Sequence, residues 1–264
     1  MSDAIGPAKE LKDAAAVIAG GSSGVGLATA EEFVRQGCTK VVLLGRNEER
    51  GASALARLKE INPSADLFFI SADLGLVQDV ERATSQALEQ LGGIDILVNS
   101  VAASYVPQLL FKTALDDIAG ILTGQALPPM LMSRAVLPTM REQKSGVIIN
   151  IASDAAKVPT PGESVIGGGM AAIVVFTRTL AIEAKRDGIR ANVMTPSLIG
   201  NTPVYDRVMS DPFSAKLFAN AAKLASLGVA EPEDLAGLIA FLCGPGGAKL
   251  TGQAISLNGG ISAA

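Results

Sequence analysis

The stretch Ala19-Gly20-Gly21-Ser22-Ser23-Gly24-Val25-Gly26 decides how this chain is read. It follows an apolar run at residues 14–18 and opens a helix-like stretch at residues 27–36. A buried strand that ends in glycines and turns at once into a helix presents free backbone N–H groups, and the positive end of the helix dipole, to an anion. Gly20, Gly24 and Gly26 leave the backbone open to close approach by a dinucleotide. With 28 glycines among 264 residues, such a triplet is weak taken alone. Its place at the head of an alternating strand and helix pattern is what makes it informative.

That pattern extends along the chain. Short β-branched runs predict seven strands, at residues 15–19, 40–44, 67–71, 94–98, 146–151, 190–195 and 254–257. Helical patterns fall at residues 25–36, 48–60, 77–91, 115–142, 168–187 and 231–243. A strand followed each time by a helical crossover predicts a three-layer, doubly wound α/β fold: a seven-stranded parallel sheet with helices on both faces. No linker divides the chain, so residues 1–264 are read as one domain. Residues 198–229 break the alternation with Pro203, Tyr205, Pro212, Phe213 and Phe218, a stretch too long for an ordinary loop, and are read as a lid over a substrate site.

Composition narrows the chemistry. Net charge is −4 with no basic run, which favours neither nucleic acid nor an anionic membrane surface as a partner. No apolar segment is read as reaching the roughly 18 residues of a membrane span, and residues 1–12 are too polar for a signal peptide, so a cytoplasmic protein is expected. Cys38 and Cys243 sit in apolar surroundings and read as small buried hydrophobes, without a disulfide. The chain contains no histidine. That removes His-based acid–base chemistry, Ser-His-Asp triads and most zinc sites, and no metal site is expected.

The residues resemble the short-chain dehydrogenase/reductase family over nearly the whole chain, in particular its 3-oxoacyl-reductase-like branch. The family's TGxxxGxG stands here as Ala19–Gly26. Asp73-Leu74 resembles the pair that holds the adenine ring, and Asn99-Ser100-Val101-Ala102 is similar to a degraded NNAG whose first Asn braces the central sheet. Pro196-Ser197-Leu198-Ile199 resembles the PG motif at the nicotinamide carboxamide, and Gly252-Gln253 with Asn258-Gly259-Gly260 resembles the family's C-terminal ending. The resemblance implies a Rossmann fold, a nicotinamide cofactor, a small-molecule substrate, and assembly into a homodimer or homotetramer through the long helices at residues 126–140 and 170–180. Pairing with an active relative is a further possibility it raises. The expected cofactor-binding residues are Gly20, Ser22, Ser23, Gly24, Val25, Gly26, Arg46, Asn47, Asp73, Leu74, Asn99, Pro196 and Ile199. Where enzymes that use NAD place a carboxylate at the end of the second strand, this chain has Gly45-Arg46-Asn47. A guanidinium offers a planar fork of donors to a 2′-phosphate, so NADP(H) is expected over NAD(H).

The expected chemistry is less ordinary. Ser153 matches the family's active-site serine, but the positions of its tyrosine and lysine hold Ile166 and Met170, and that of its assisting asparagine holds Gln125. Isoleucine cannot give a proton to a carbonyl oxygen as hydride arrives. Candidate substitutes are Tyr105, in the loop after the fourth strand, and Tyr205 in the lid, while Lys157 and Glu163 read as facing solvent. Catalytic roles are expected for Ser153, Tyr105 and Gln125. The reaction that best tolerates loss of the acid is hydride addition to a conjugated C=C–C=O system, where a donor need only stabilise an enolate oxygen. A dinucleotide-binding or structural subunit without activity of its own, pairing with an active relative, is the second reading, and a carbonyl reductase with a relocated proton donor the third.

Overall fold

The structure, a computed structural model, describes residue 6 and residues 8–264. The stretch read as polar at residues 1–12 lies partly outside them. Seven strands, β1 (Ala15–Ala19), β2 (Lys40–Gly45), β3 (Asp66–Ser71), β4 (Ile96–Asn99), β5 (Gly146–Ile151), β6 (Ile189–Met194) and β7 (Ala254–Ile255), form one parallel sheet in the order β3-β2-β1-β4-β5-β6-β7. Eight helices accompany them: α1 (Gly24–Arg35), α2 (Glu48–Ile61), α3 (Val77–Leu91), α4 (Leu115–Gln143), α5 (Ser164–Ala184), α6 (Pro203–Met209), α7 (Pro212–Leu224) and α8 (Pro232–Cys243).

Strand periodicity sorts the core into two layers. Ala16 and Ile18 of β1 face a cluster with Phe33 of α1, Leu58 of α2 and Ile239 of α8. Ala15, Val17 and Ala19 face the other cluster, with Val80 of α3, Met140 of α4 and Leu180 of α5. The strand order reverses between β1 and β4, where Ala19 pairs with Asn99, and this opens a crevice beyond the carboxyl ends of the strands. Cys38 and Cys243 are free and buried, and burial pushes their thiols up to about 11 and about 12, so both pack as hydrophobes rather than react.

Three sequence expectations need correction. Helix α5 begins at Ser164, four residues before the expected start, and its 3₁₀ extension ends at Asp187. Gly167, Gly168 and Gly169 are poor helix formers, which hid the true start, but tight packing requires two of them: a Cβ on Gly167 would lie 2.9 Å from the Ala155 carbonyl oxygen, and one on Gly169 3.2 Å from Gln125 Cβ. The same extension makes Ser164–Asp187 long and apolar enough, by length and composition, to cross a membrane, contrary to the expectation that no such segment exists. Its inner face is nevertheless core, with Ile173, Val174, Leu180 and Ala181 buried. Strand β4 starts at Ile96 rather than residue 94, because Asp95 turns its carboxylate back to accept from Ala15 N–H at 3.0 Å and from Lys9 at 2.8 Å.

The interval at residues 198–229 folds into α6 and α7, each begun by a proline at its first turn and capped by a side chain, Thr202 on Tyr205 N–H and Asp211 on Ser214 N–H. Ser214 Oγ donates to the Pro107 carbonyl at 3.2 Å and Arg207 Nη1 to that of Ala103, so the pair of helices is stitched to the loop after β4.

Candidate active site

One continuous cavity of about 790 Å³ occupies the crevice, running from Arg46 at one end to Phe218 of α7 at the other. Its first half is built by the β1–α1 turn. Gly20 (φ 76°) and Gly24 (φ 52°) take left-handed conformations that favour glycine. A Cβ on Gly20 would lie 2.3 Å from the Ser100 carbonyl oxygen, and one on Gly26 2.3 Å from that of Gly20. These two glycines therefore let the protein's own backbone close up, and Gly26 does not line the cavity. Gly20, Ser22, Ser23, Gly24 and Val25 do line it. Leu27 N–H is the first in α1 to reach a backbone acceptor, Ser23 O at 3.2 Å, which leaves the N–H groups of Gly24, Val25 and Gly26 without intrahelical partners. The Ser23 hydroxyl makes no capping bond. Free donors at a helix N-terminus, opening into a cavity of this size, fit a dinucleotide's pyrophosphate.

The remaining expected cofactor residues divide. Arg46, Asp73, Leu74, Pro196 and Ile199 line the cavity. Asn47 does not; its Oδ1 caps α2 by accepting from Arg50 N–H at 2.7 Å. Asn99 is buried, with its Nδ2 donating to Asn150 Oδ1 at 2.8 Å, and braces the sheet from beneath. Asp73 Oδ1 accepts from Gly75 N–H at 3.0 Å, which shapes the loop after β3. Sequence reasoning missed Arg50, which lines the cavity from the first turn of α2. The spacing Arg46-x-x-x-Arg50 was the available signal. Neither guanidinium forms an ion pair among the described residues, and both are exposed at the rim.

The second half of the cavity holds the residues expected from the sequence at the reaction centre. Ser153, Gln125, Ile166 and Met170 all line it. Ile166 and Met170 lie one helical turn apart and share the face of α5 that looks into the crevice. Ser153 Oγ accepts from Ala155 N–H at 3.2 Å, an Asx-like turn that fixes the side chain and leaves its O–H to donate. Gln125 is 3% exposed, and its Oε1 is buried without a hydrogen-bond partner. A buried amide oxygen left unpaired at a cavity wall costs about 1–3 kcal/mol and is offset when a ligand supplies the donor.

Tyr105 lines the cavity but its hydroxyl is engaged, donating to the Gly162 carbonyl at 3.2 Å and accepting from Gln108 N–H at 3.3 Å. Burial holds its pKa above the ordinary value. The tyrosine therefore clamps one loop to another. Tyr205 lines the opposite wall from α6. Lys157 does not line the cavity; its Nζ donates to Ser256 Oγ and to the Ala264 oxygen, each at 2.5 Å.

Glu163 overturns the expectation that it faces solvent. It occupies the N-cap position of α5, lines the cavity, and has its carboxyl pushed up to about 7, chiefly by burial. Asp154 also lines the cavity, 5% exposed, with Oδ2 accepting from Ser262 Oγ at 2.5 Å and from Asn258 Nδ2 at 3.1 Å, and with Oδ1 unpartnered.

A turn of free N–H groups at the switch point of a parallel sheet, with a serine and an amide across the same cavity, defines a dinucleotide-dependent oxidoreductase class. The family model described as short chain dehydrogenase matches residues 14–212, and the chain belongs to that family. Among curated relatives, it is 30% identical to momilactone A synthase of Oryza sativa subsp. japonica over 97% of this chain and 92% of that protein. It is 28% identical to a 3-oxoacyl-[acyl-carrier-protein] reductase of Synechocystis sp. over 93% of this chain and 96% of that one. Among solved structures, an NADPH-bound short chain oxidoreductase of Pseudomonas aeruginosa, described as containing an atypical catalytic center, superposes with TM-score 0.87 at 28% identity, covering 97% of this chain and 99% of that one. The chain is an oxidoreductase of the short-chain dehydrogenase/reductase type, and its fold binds a nicotinamide dinucleotide.

Proposed function

We propose that the protein is an NADP(H)-dependent reductase of a small, largely apolar carbonyl compound. The observation that carries the cofactor choice is the pair Arg46 and Arg50, two guanidiniums without ion-pair partners among the described residues, at the end of the cavity that begins with the glycine-rich turn. Gly20, Ser22, Ser23, Gly24 and Val25 would hold the pyrophosphate, Asp73 and Leu74 the adenine, and Pro196 and Ile199 the carboxamide. A bound reduced nicotinamide supplies hydride. Ser153 donates to the substrate's carbonyl oxygen, Gln125 Oε1 accepts from a donor on the bound ligand, and Ile166 and Met170 keep the surroundings dry.

Hydride addition to the conjugated carbon of an enone is supported by Ile166 and Met170, which leave the family's usual acid and lysine positions apolar. Reduction of the carbonyl itself is supported by Glu163, a carboxyl that lines the same cavity. Helices α6 and α7 act as the lid. The exposed apolar side chains Leu115, Leu122 and Leu127 on α4, and Val175 and Ile182 on α5, support self-association through those helices. Two buried free thiols support a cytoplasmic setting.

The deciding test is fluorescence titration of the protein with NADPH and NADH, followed by turnover assays on a panel of ketones, cyclic enones and unsaturated acyl thioesters. Tighter binding of NADPH and consumption of a carbonyl substrate are expected. Absence of NADPH binding would leave the inactive-subunit reading.

A further inference from the structure

The position of the family's tyrosine holds Ile166, yet the helix carrying it begins with a carboxyl that sequence reasoning set aside. Glu163 stands at the N-cap of α5, three residues before Ile166, and both side chains line the cavity that also holds Ser153 and Gln125. Residues three apart at a helix start lie on neighbouring parts of one face, so Glu163 reaches the chamber from the same wall as the missing hydroxyl. The Thr160 side chain hydrogen-bonds the Glu163 carboxyl and lowers its pKa, against the larger effect of burial. No cation pairs with it among the described residues, and it does not cap α5, which carries no N-cap side-chain bond.

From these observations we infer that Glu163 is the relocated proton donor: its carboxyl protonates the substrate's carbonyl oxygen as hydride reaches the carbonyl carbon. The inference rests on reading the cavity as the hydride-transfer site. In the step, hydride from a reduced nicotinamide forms the new C–H bond, the carbonyl π pair moves to oxygen, the Glu163 O–H bond breaks and an alcohol O–H bond forms. The Glu163 carboxylate is reprotonated from solvent before the next turnover. Ser153 donates to the same oxygen and orients it. The product is an alcohol, and the substrate class is a ketone or aldehyde.

The electrostatics agree with this role. Burial is the largest cause holding the Glu163 carboxyl up at about 7, and the Asp154 carboxylate on the neighbouring turn adds to it. In the other direction Glu163 raises Tyr105, which faces it from the loop after β4. The other charged side chains of the cavity are Arg46, Arg50, Asp73 and Arg207; Arg207 is directed at the Ala103 carbonyl. A carboxyl about half protonated at neutral pH is poised to act as an acid.

The test compares wild type with Glu163→Gln and Glu163→Asp. For Glu163→Gln, ketone reduction should fall about 10²–10⁴-fold, NADPH affinity should stay within about twofold, and the rate should lose its decline as pH rises through about 7. Glu163→Asp should recover part of the rate. Infrared difference spectra of the protein without cofactor, wild type minus Glu163→Gln, should show a protonated carboxyl at pH 6 that vanishes above pH 8. Equal rates and equal pH profiles in wild type and Glu163→Gln would overturn the assignment, as would a spectrum with no protonated carboxyl at pH 6. A wild type that fails to bind NADPH would instead refute the cofactor reading, and the infrared result would still decide the ionisation of Glu163.

Discussion

Asn99 at the end of β4 donates through Nδ2 to Asn150 Oδ1 on β5 at 2.8 Å, and Asn150 Nδ2 continues to Thr177 Oγ1 of α5 at 2.8 Å. All three residues are buried. This polar chain ties the central strands to the helix that presents Ile166 and Met170, so the reaction wall takes its position from the sheet. Replacing Asn150 by Ala strands a donor on Asn99 and an acceptor on Thr177. The expected cost is about 2–4 kcal/mol of stability, read from urea unfolding.

Arg46→Ala and Arg50→Ala should each raise KM for NADPH about 10-fold to 100-fold and leave KM for NADH nearly unchanged, since in the proposed NADP(H) site each would remove a charge-assisted contact to the 2′-phosphate alone. Equal effects on both cofactors would refute the assignment. Steady-state kinetics with the two dinucleotides checks it.

Gly26→Ala sets a methyl 2.3 Å from the Gly20 carbonyl oxygen, although Gly26 itself has an ordinary backbone conformation. The β1–α1 turn must open to accept it. A loss of about 1–3 kcal/mol in stability and of NADPH binding together is expected, measured by thermal unfolding and by titration.

Glu163 makes stability depend on pH. Its carboxyl ionises near 4.5 when unfolded and near 7 when folded. Below pH 4.5 both states are protonated and the full stability is present. As pH rises from 4.5 through 7 the unfolded chain gives up its proton first, so stability falls by something on the order of 3 kcal/mol. Urea unfolding of Glu163→Gln should lack this fall, and the variant should be the more stable of the two at pH 8.

Ser153→Ala should lower kcat about 10-fold to 100-fold with little change in KM for NADPH, since on the proposed reading the hydroxyl donates to the substrate oxygen and not to the dinucleotide. A rate equal to wild type would remove Ser153 from the reaction.

The sheet was legible because its signals are local. The unbroken apolar runs of β1 and β2 announce strands buried on both faces, and the glycines at 20, 24 and 26 mark where the crossover begins. The start of α5 was not, because three successive glycines read as a break while their value lies in contacts with Ala155 and Gln125, which the chain supplies from other elements. That one error also hid Glu163. With the helix begun at residue 168, Glu163 falls in a loop and reads as solvated; with the helix begun at Ser164 it becomes the N-cap residue and looks into the cavity. Arg50 was missed for a related reason, since an arginine in the first turn of an exposed helix looks like ordinary surface charge until β3 and the turn after β1 are folded around it. Asn47 and Asn99 show the converse: residues beside a cofactor site by sequence can serve the scaffold instead.

The chamber is undivided from Arg46 to Phe218, and this dictates an order of arrival. Whatever lies along the β1–α1 turn becomes a wall of the space that remains, so the substrate pocket is complete only after the dinucleotide is seated. A ketone arriving first would find a room too large to grip it. Kinetics should therefore be sequential and ordered, with the dinucleotide first in and last out. The helices α6 and α7, fastened to the loop after β4, would then control the departure of the alcohol.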